Sequence, residues 1–103
     1  MAEFTKLVRK NDVTPGKMKS VYVSAVSANI TVANIDGKYY AFKDECPHMG
    51  VRLSNGSIEN GIITCPEHSS KFDVTTGKPL STQNDPLVTY EVKIEGDDVL
   101  VKV

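Results

Sequence analysis

Residues 20–42 read SVYVSAVSANITVANIDGKYYAF. The runs 20–26 and 29–35 are rich in Val, Ile and Thr, whose branched or short side chains suit a pleated, half-buried surface. Asp36-Gly37 between the second run and KYYAF (38–42) is a dipeptide that tolerates positive φ, the requirement of a tight hairpin turn. The stretch predicts a small antiparallel meander. Working outward, Val88, Tyr90, Val92 and Ile94 alternate with Thr89, Glu91 and Lys93. EGDD (95–98) then turns the chain into Val99, Val101 and Val103, predicting a second hairpin with one buried face. No helical periodicity longer than a turn interrupts this pattern, so the chain reads as all-β.

Between the two strand-rich parts, residues 43–86 hold most of the glycines, four of the five prolines, and every Cys and His. This places a loop-rich insertion (43–86) in a β framework (1–42 and 87–103), all within one domain of 103 residues. Function tends to reside on loops that a rigid scaffold presents. Within the insertion, Gly56 and Gly61 flank a short pair of strands that would fold the chain back and bring residues 46–48 opposite residues 65–68.

Composition narrows the function. A formal charge of −1 and a pI near 6.1 give no basic surface for a phosphate backbone, and aromatic and basic residues are not interleaved as in single-strand binders. Nucleic acid is therefore not an expected partner. MAEFTKLVRKND lacks the apolar core of a signal peptide, and no apolar run approaches membrane-spanning length. The expectation is a cytoplasmic monomer with no membrane partner.

The chemistry-bearing residues are Cys46 and His48 in CPHMG (46–50), and Cys65 and His68 in CPEHSSKFD (65–73). A Cys46–Cys65 disulfide is the plainest reading, but it leaves both histidines unexplained, and intracellular cysteine pairs more often bind metal. Structural zinc accepts two thiolates and two imidazoles, usually with Cys paired to Cys and His to His, and here the order is mixed. A Cys-His catalytic dyad would use one of each and leave the duplicate idle. The mixed order fits a binuclear centre in which each loop gives one Cys to one iron and one His to the other.

The pattern C-P-H-x-G, then C-P-x-H, followed by Ser70, Phe72-Asp73 and Thr76-Gly77, resembles the Rieske 2Fe-2S family and its soluble ferredoxins. The likeness runs through GVRLSNG (50–56) and the C-terminal hairpin. The resemblance implies an antiparallel β-sandwich carrying a smaller cluster-binding subdomain. It also implies a 2Fe-2S cluster held by Cys46 and Cys65 on one iron and by His48 and His68 on the other. Around these ligands, Pro47 and Pro66 would stiffen the loops and Gly50 would allow close backbone approach. Met49 and Leu53 would give apolar cover, although ordinary turn chemistry and core packing account for these residues equally well. TGKPL (76–80) and Pro86 would close over the cluster, and Tyr39, Tyr40 and Tyr90 belong to the β core.

Departures from the family pattern bear on tuning. Respiratory relatives carry a further Cys pair where Val51 and Glu67 stand here, and offer two hydroxyls to the cluster where this chain has Ser70 and Phe72. One such hydrogen bond is retained and one lost, which implies a potential low in the family range of about −150 to +300 mV. The second histidine is followed by Ser69, where the family most often has Gly. No flavin or nicotinamide fingerprint and no facial-triad iron site accompanies the motif. The expected function is therefore a one-electron carrier with no catalytic residues of its own, between an NAD(P)H-dependent flavoprotein reductase and a terminal oxygenase. The alternative is a zinc-binding or structural Rieske-fold subunit of a larger oxidoreductase. Lys43, Asp44, Glu45, Arg52, Glu67 and Lys71 predict a mixed-charge surface at the cluster end with little net steering field.

Overall fold

A computed structural model describes residues 3–45, 52–66, 70–80 and 86–103. Its described residues form ten strands: β1 Phe4–Arg9, β2 Met18–Val23, β3 Ala28–Ile35, β4 Lys38–Lys43, β5 Ser57–Glu59, β6 Ile62–Thr64, β7 Lys71–Asp73, β8 Thr89–Tyr90, β9 Val92–Glu95 and β10 Asp98–Lys102. Three 3-10 turns, Lys10–Asp12, Ser24–Val26 and Leu53–Asn55, are the only helical elements among these residues. The all-β expectation holds.

The predicted meander is the heart of the molecule. β2, β3 and β4 pair in order and β8 adds to the β4 edge, giving a four-stranded antiparallel sheet. The turn at its centre has the predicted chemistry: Asp36 and Gly37 sit at φ 53° and 90°. Buried Asn34 fastens it, accepting a hydrogen bond from the Gly37 amide at 2.8 Å and donating to the Val13 carbonyl at 2.9 Å.

Alternation along β3 divides the interior in two. Ile30 and Val32 face Val8, Val13, Val23, Ala41, Val99 and Val101. On the opposite side of the same sheet, Ala33 and Phe42 join Leu53, Ile63, Cys65, Phe72, Val74 and Leu87. Every residue from Ile30 to Asn34 is consequently buried, because each face of this strand lies against its own core. A second sheet, β1-β10-β9, covers the first core, and a third, β5-β6-β7, covers the other. Each fully buried Val, Leu, Ile or Phe contributes about 1.5–3 kcal/mol of transfer free energy, so both covers are held mainly by apolar burial.

The details depart from expectation in four places. β2 ends at Val23, and Ser24–Val26 forms a 3-10 turn that leads into left-handed Ser27 at φ 51°, reversing the chain into β3. β1 was not anticipated. It pairs with β10 from Phe4↔Lys102 to Arg9↔Asp98, but the register skips Leu7, and this bulge spoils the two-residue alternation that would have announced a strand. β7 pairs with β6 and is too short for periodicity to reveal. In the C-terminal hairpin, Val99 and Val101 are fully buried, whereas Val88 and Ile94 remain 50% and 42% exposed. The buried face of that hairpin therefore belongs chiefly to β10, with Tyr90 and Val92 packed only partly against the core. Tyr39 also packs there and donates its hydroxyl to the Lys10 carbonyl at 2.9 Å, while Tyr40 is half-buried.

Candidate metal centre

Of the four expected ligands, Cys65 lies within the described residues; Cys46, His48 and His68 lie outside them, as do Pro47, Met49, Gly50, Val51, Glu67 and Ser69. Cys65 follows β6 directly, and β6 pairs with β7 through Thr64↔Lys71. One further backbone bond, from the Cys65 amide to the Ser70 carbonyl at 2.7 Å, extends that ladder and closes the loop 65–70. Cys65 and Ser70 thus face each other across the end of a regular antiparallel pair.

Cys65 is a free thiol with 1% of its surface exposed, set among Leu53, Ile63 and Phe72. A free thiol does not fit the disulfide reading. Ser70 is buried beside it, and Phe72, fully buried in the same core, brings no hydroxyl. Pro66 is exposed, and Leu53 lies wholly inside the core. Residues 76–80 double back on β7: Pro79 bridges Phe72, and the Leu80 amide donates to the Lys71 carbonyl at 2.8 Å. Gly77, at φ 82°, receives the Leu87 amide on its carbonyl, also at 2.8 Å.

The first Cys-His stretch leaves the end of β4 and returns at the Leu53–Asn55 turn. That return abuts the root of the second stretch. A Cβ built on Gly56 would fall well inside contact distance of the Thr64 carbonyl oxygen, on the residue before Cys65. The glycine is required here for close backbone approach, a role more specific than turn formation. The exit of one stretch and the base of the other are therefore in direct contact.

Asp44 is the polar centre of this junction. Its side chain has no exposed surface, and it accepts from the Ser54 amide at 2.7 Å, the Ser54 hydroxyl at 2.6 Å, the Ser20 hydroxyl at 2.7 Å and Arg52 Nε at 3.1 Å. Burial alone would push its pKa up. The hydrogen bonds from Ser54, Ser20 and Arg52 outweigh that effect and hold the carboxyl below the ordinary aspartate value. The expectation of Asp44 as a surface charge is corrected accordingly: it is an internal acceptor, and Lys43 pairs with Glu45 at 3.3 Å beside it.

Among the described residues no three His, Cys, Asp or Glu side chains converge. Cys65 nonetheless fits a cluster ligand, since its thiol is free, shielded from water, and carried on a hairpin locked by backbone bonds. Residues 3–91 match the family described as Rieske [2Fe-2S] domain. The chain belongs to the Rieske family. A Rieske domain implies a 2Fe-2S cluster of the Rieske type, with mixed Cys and His ligation.

Among curated relatives, the biphenyl 2,3-dioxygenase ferredoxin component of Rhodococcus jostii (strain RHA1) is 39% identical over 98 residues, covering 94% of this chain and 90% of that protein. Among solved structures, a Sphingomonas yanoikuyae B1 ferredoxin superposes with a TM-score of 0.90 at 28% identity, covering 98% of this chain and 99% of its own. A chain from the complex of reduced oxygenase and oxidized ferredoxin in carbazole 1,9a-dioxygenase superposes with a TM-score of 0.89 at 31% identity, covering 96% and 92%. No helix among the described residues is long and apolar enough to cross a membrane.

Proposed function

We propose that this Rieske protein is the ferredoxin of a multi-component, ring-hydroxylating dioxygenase system, an electron-transfer component and not itself an enzyme. The observation that carries this reading is its end-to-end correspondence with a protein named as a ferredoxin component, 94% of one chain against 90% of the other. When bound, a single 2Fe-2S cluster takes up and returns one electron. Cys46 and Cys65 would hold one iron, and His48 and His68 would hold the other. Two neutral imidazoles in place of thiolates leave the site less negative, so an added electron is repelled less than in an all-Cys site.

This chain's residues bind and shield. Leu53, Ile63 and Phe72 keep water from Cys65. Ser70 lies buried at the close of the second loop. Pro47 and Pro66 would stiffen the two ligand loops, Met49 would give apolar cover, and Gly50 would allow close backbone approach. The ligand loops form a cluster-binding subdomain, residues 43–86, inserted in a framework of residues 1–42 and 87–103. The division is supported by the separate core that each cover sheet closes. An NAD(P)H-dependent flavoprotein reductase supplies the electron and a terminal oxygenase receives it; a solved complex of oxygenase and ferredoxin in carbazole 1,9a-dioxygenase supports the second of these partners. The protein works as a cytoplasmic monomer with transient redox partners.

The alternative, a zinc-binding or structural subunit, is not favoured beside relatives named as ferredoxins. Freshly purified protein is expected to carry about two iron and two sulfide per chain, with a visible spectrum that bleaches on reduction. It should also support hydroxylation by a dioxygenase once a reductase and NAD(P)H are added. Colourless protein holding one zinc would overturn the proposal.

A further inference from the structure

Asp44 lies just before the first ligand stretch in the chain, two residues ahead of Cys46, and its carboxylate is met by Arg52 and Ser54, which lie just after it. The two ends of the stretch are thereby joined through a single side chain. That side chain is also tied to the central sheet: Ser20 of β2 donates to it at 2.7 Å, and the Asp44 amide donates to the Asn29 carbonyl of β3 at 2.9 Å. Arg52 spans the same junction, donating from Nη2 to the Ser20 hydroxyl at 3.0 Å.

We propose that Asp44 is the positioning residue of the metal centre, a clasp that fixes the first ligand loop on the central sheet. This rests on the ligand roles proposed above for Cys46 and His48. Two features of the chemistry argue for it. A carboxylate is the group this junction needs, because four donors converge on two oxygens. An amide would offer one acceptor oxygen and turn its own donors against the others. The site also differs from ordinary core: a carboxylate is costly to bury unless satisfied, and here its donors come from the chain returning after the loop, Arg52 and Ser54, and from Ser20 of β2. Closing a loop by its own ends reduces the conformations open to it, so Cys46 and His48 are presented together and leave the metal less readily.

The clasp acts through the ligands, so its signature is kinetic and spectroscopic. In the full chain with its cluster loaded, iron release to a chelator and the electron paramagnetic resonance spectrum of the reduced protein are compared for wild type, Asp44→Ala, Ser54→Ala and Val99→Ala. Val99 lies in the other core, against β1 and the far face of the central sheet, and serves as a control of comparable global destabilisation. Asp44→Ala is expected to release iron at least about tenfold faster than Val99→Ala under denaturant conditions that match their unfolding free energies. It should also broaden the resonance, whereas Val99→Ala leaves the spectrum at wild type. Ser54→Ala, which keeps the carboxylate and removes one hydroxyl donor, should fall between them, and it carries the test if Asp44→Ala does not fold. Release no faster than in Val99→Ala, with an unchanged spectrum, overturns the clasp. His48→Ala run alongside separates the two readings: retention of a wild-type cluster by that variant overturns ligation by this loop, whereas its loss together with an inert Asp44→Ala overturns the clasp alone.

Discussion

The two outer sheets of this protein are built to different standards. The β1-β10-β9 sheet uses strands of four to six residues, laid on a core of Val, Ile and Ala that needs nothing but burial. The β5-β6-β7 sheet has three strands of three residues each, too little ladder to stand alone. It is held by Phe42, Leu53, Ile63 and Phe72 from one side, by the Asp44 junction, and by a backbone approach at Gly56 that admits no side chain. Generic patterning suffices where only a lid is needed. Around Cys65 and the Asp44 junction, the fold adds specific polar and backbone contacts.

This comparison can be broken by experiment. The largest expected effect is Cys65→Ala: complete loss of the cluster, read as absence of visible absorption and of bound iron, with the strand signature of the framework intact by circular dichroism. Collapse of the framework in that variant would show that the two standards are not separable. Phe42→Ala should come next, at about 3–5 kcal/mol in chemical denaturation, because it empties the centre of the core under the ligand hairpin. Gly56→Ala should cost about 1–3 kcal/mol by forcing the first loop's return away from Thr64, and should loosen iron retention as well. If stability falls and iron retention does not, the junction is mere packing. The smallest effect belongs to Ile94→Thr, within about 0.5 kcal/mol, since that side chain is largely solvated on the tolerant sheet. A cost of several times that would mean that the exposed face of β9 is covered in solution.

How much of this was legible depended on whether the signal was local. The β2-β3-β4 meander was readable because Asp36-Gly37 and the branched runs specify it within a few residues. The Rieske likeness was readable for the same reason, since its motif lies in two short stretches. β1 was hidden by the bulge at Leu7, and β7 by its length. Val88 and Ile94 alternate as if buried, but the sequence does not say that the apolar side of that hairpin is supplied by β10. Asp44 was the largest miss. As a residue it is one charge among several. Only the tertiary fold brings Ser20, Arg52 and Ser54 to it and turns a surface carboxylate into an internal acceptor. Gly56 was seen as a turn former, and the carbonyl it must clear lies in another strand.

The pairing of β1 with β10 bears on the order in which the molecule assembles. Phe4 must find Lys102 across nearly the whole chain, whereas β2, β3 and β4 meet through the short reversals at Val23↔Ala28 and Ile35↔Lys38. Closure entropy grows with the separation bridged, by about 0.6 kcal/mol per doubling, and non-local pairings slow folding. The meander is therefore the natural nucleus, and the first strand the last to dock. Substitutions at Val32 or Ala41 should slow folding, whereas one at Val8 should act mainly by hastening unfolding, a contrast that φ-values would read directly. For a protein that must acquire iron and sulfide, such an order has a practical meaning. The wall that anchors Ser20 and Asn29 stands before the chain is closed, so a foundation for the proposed first ligand loop exists while the covering sheets are still open.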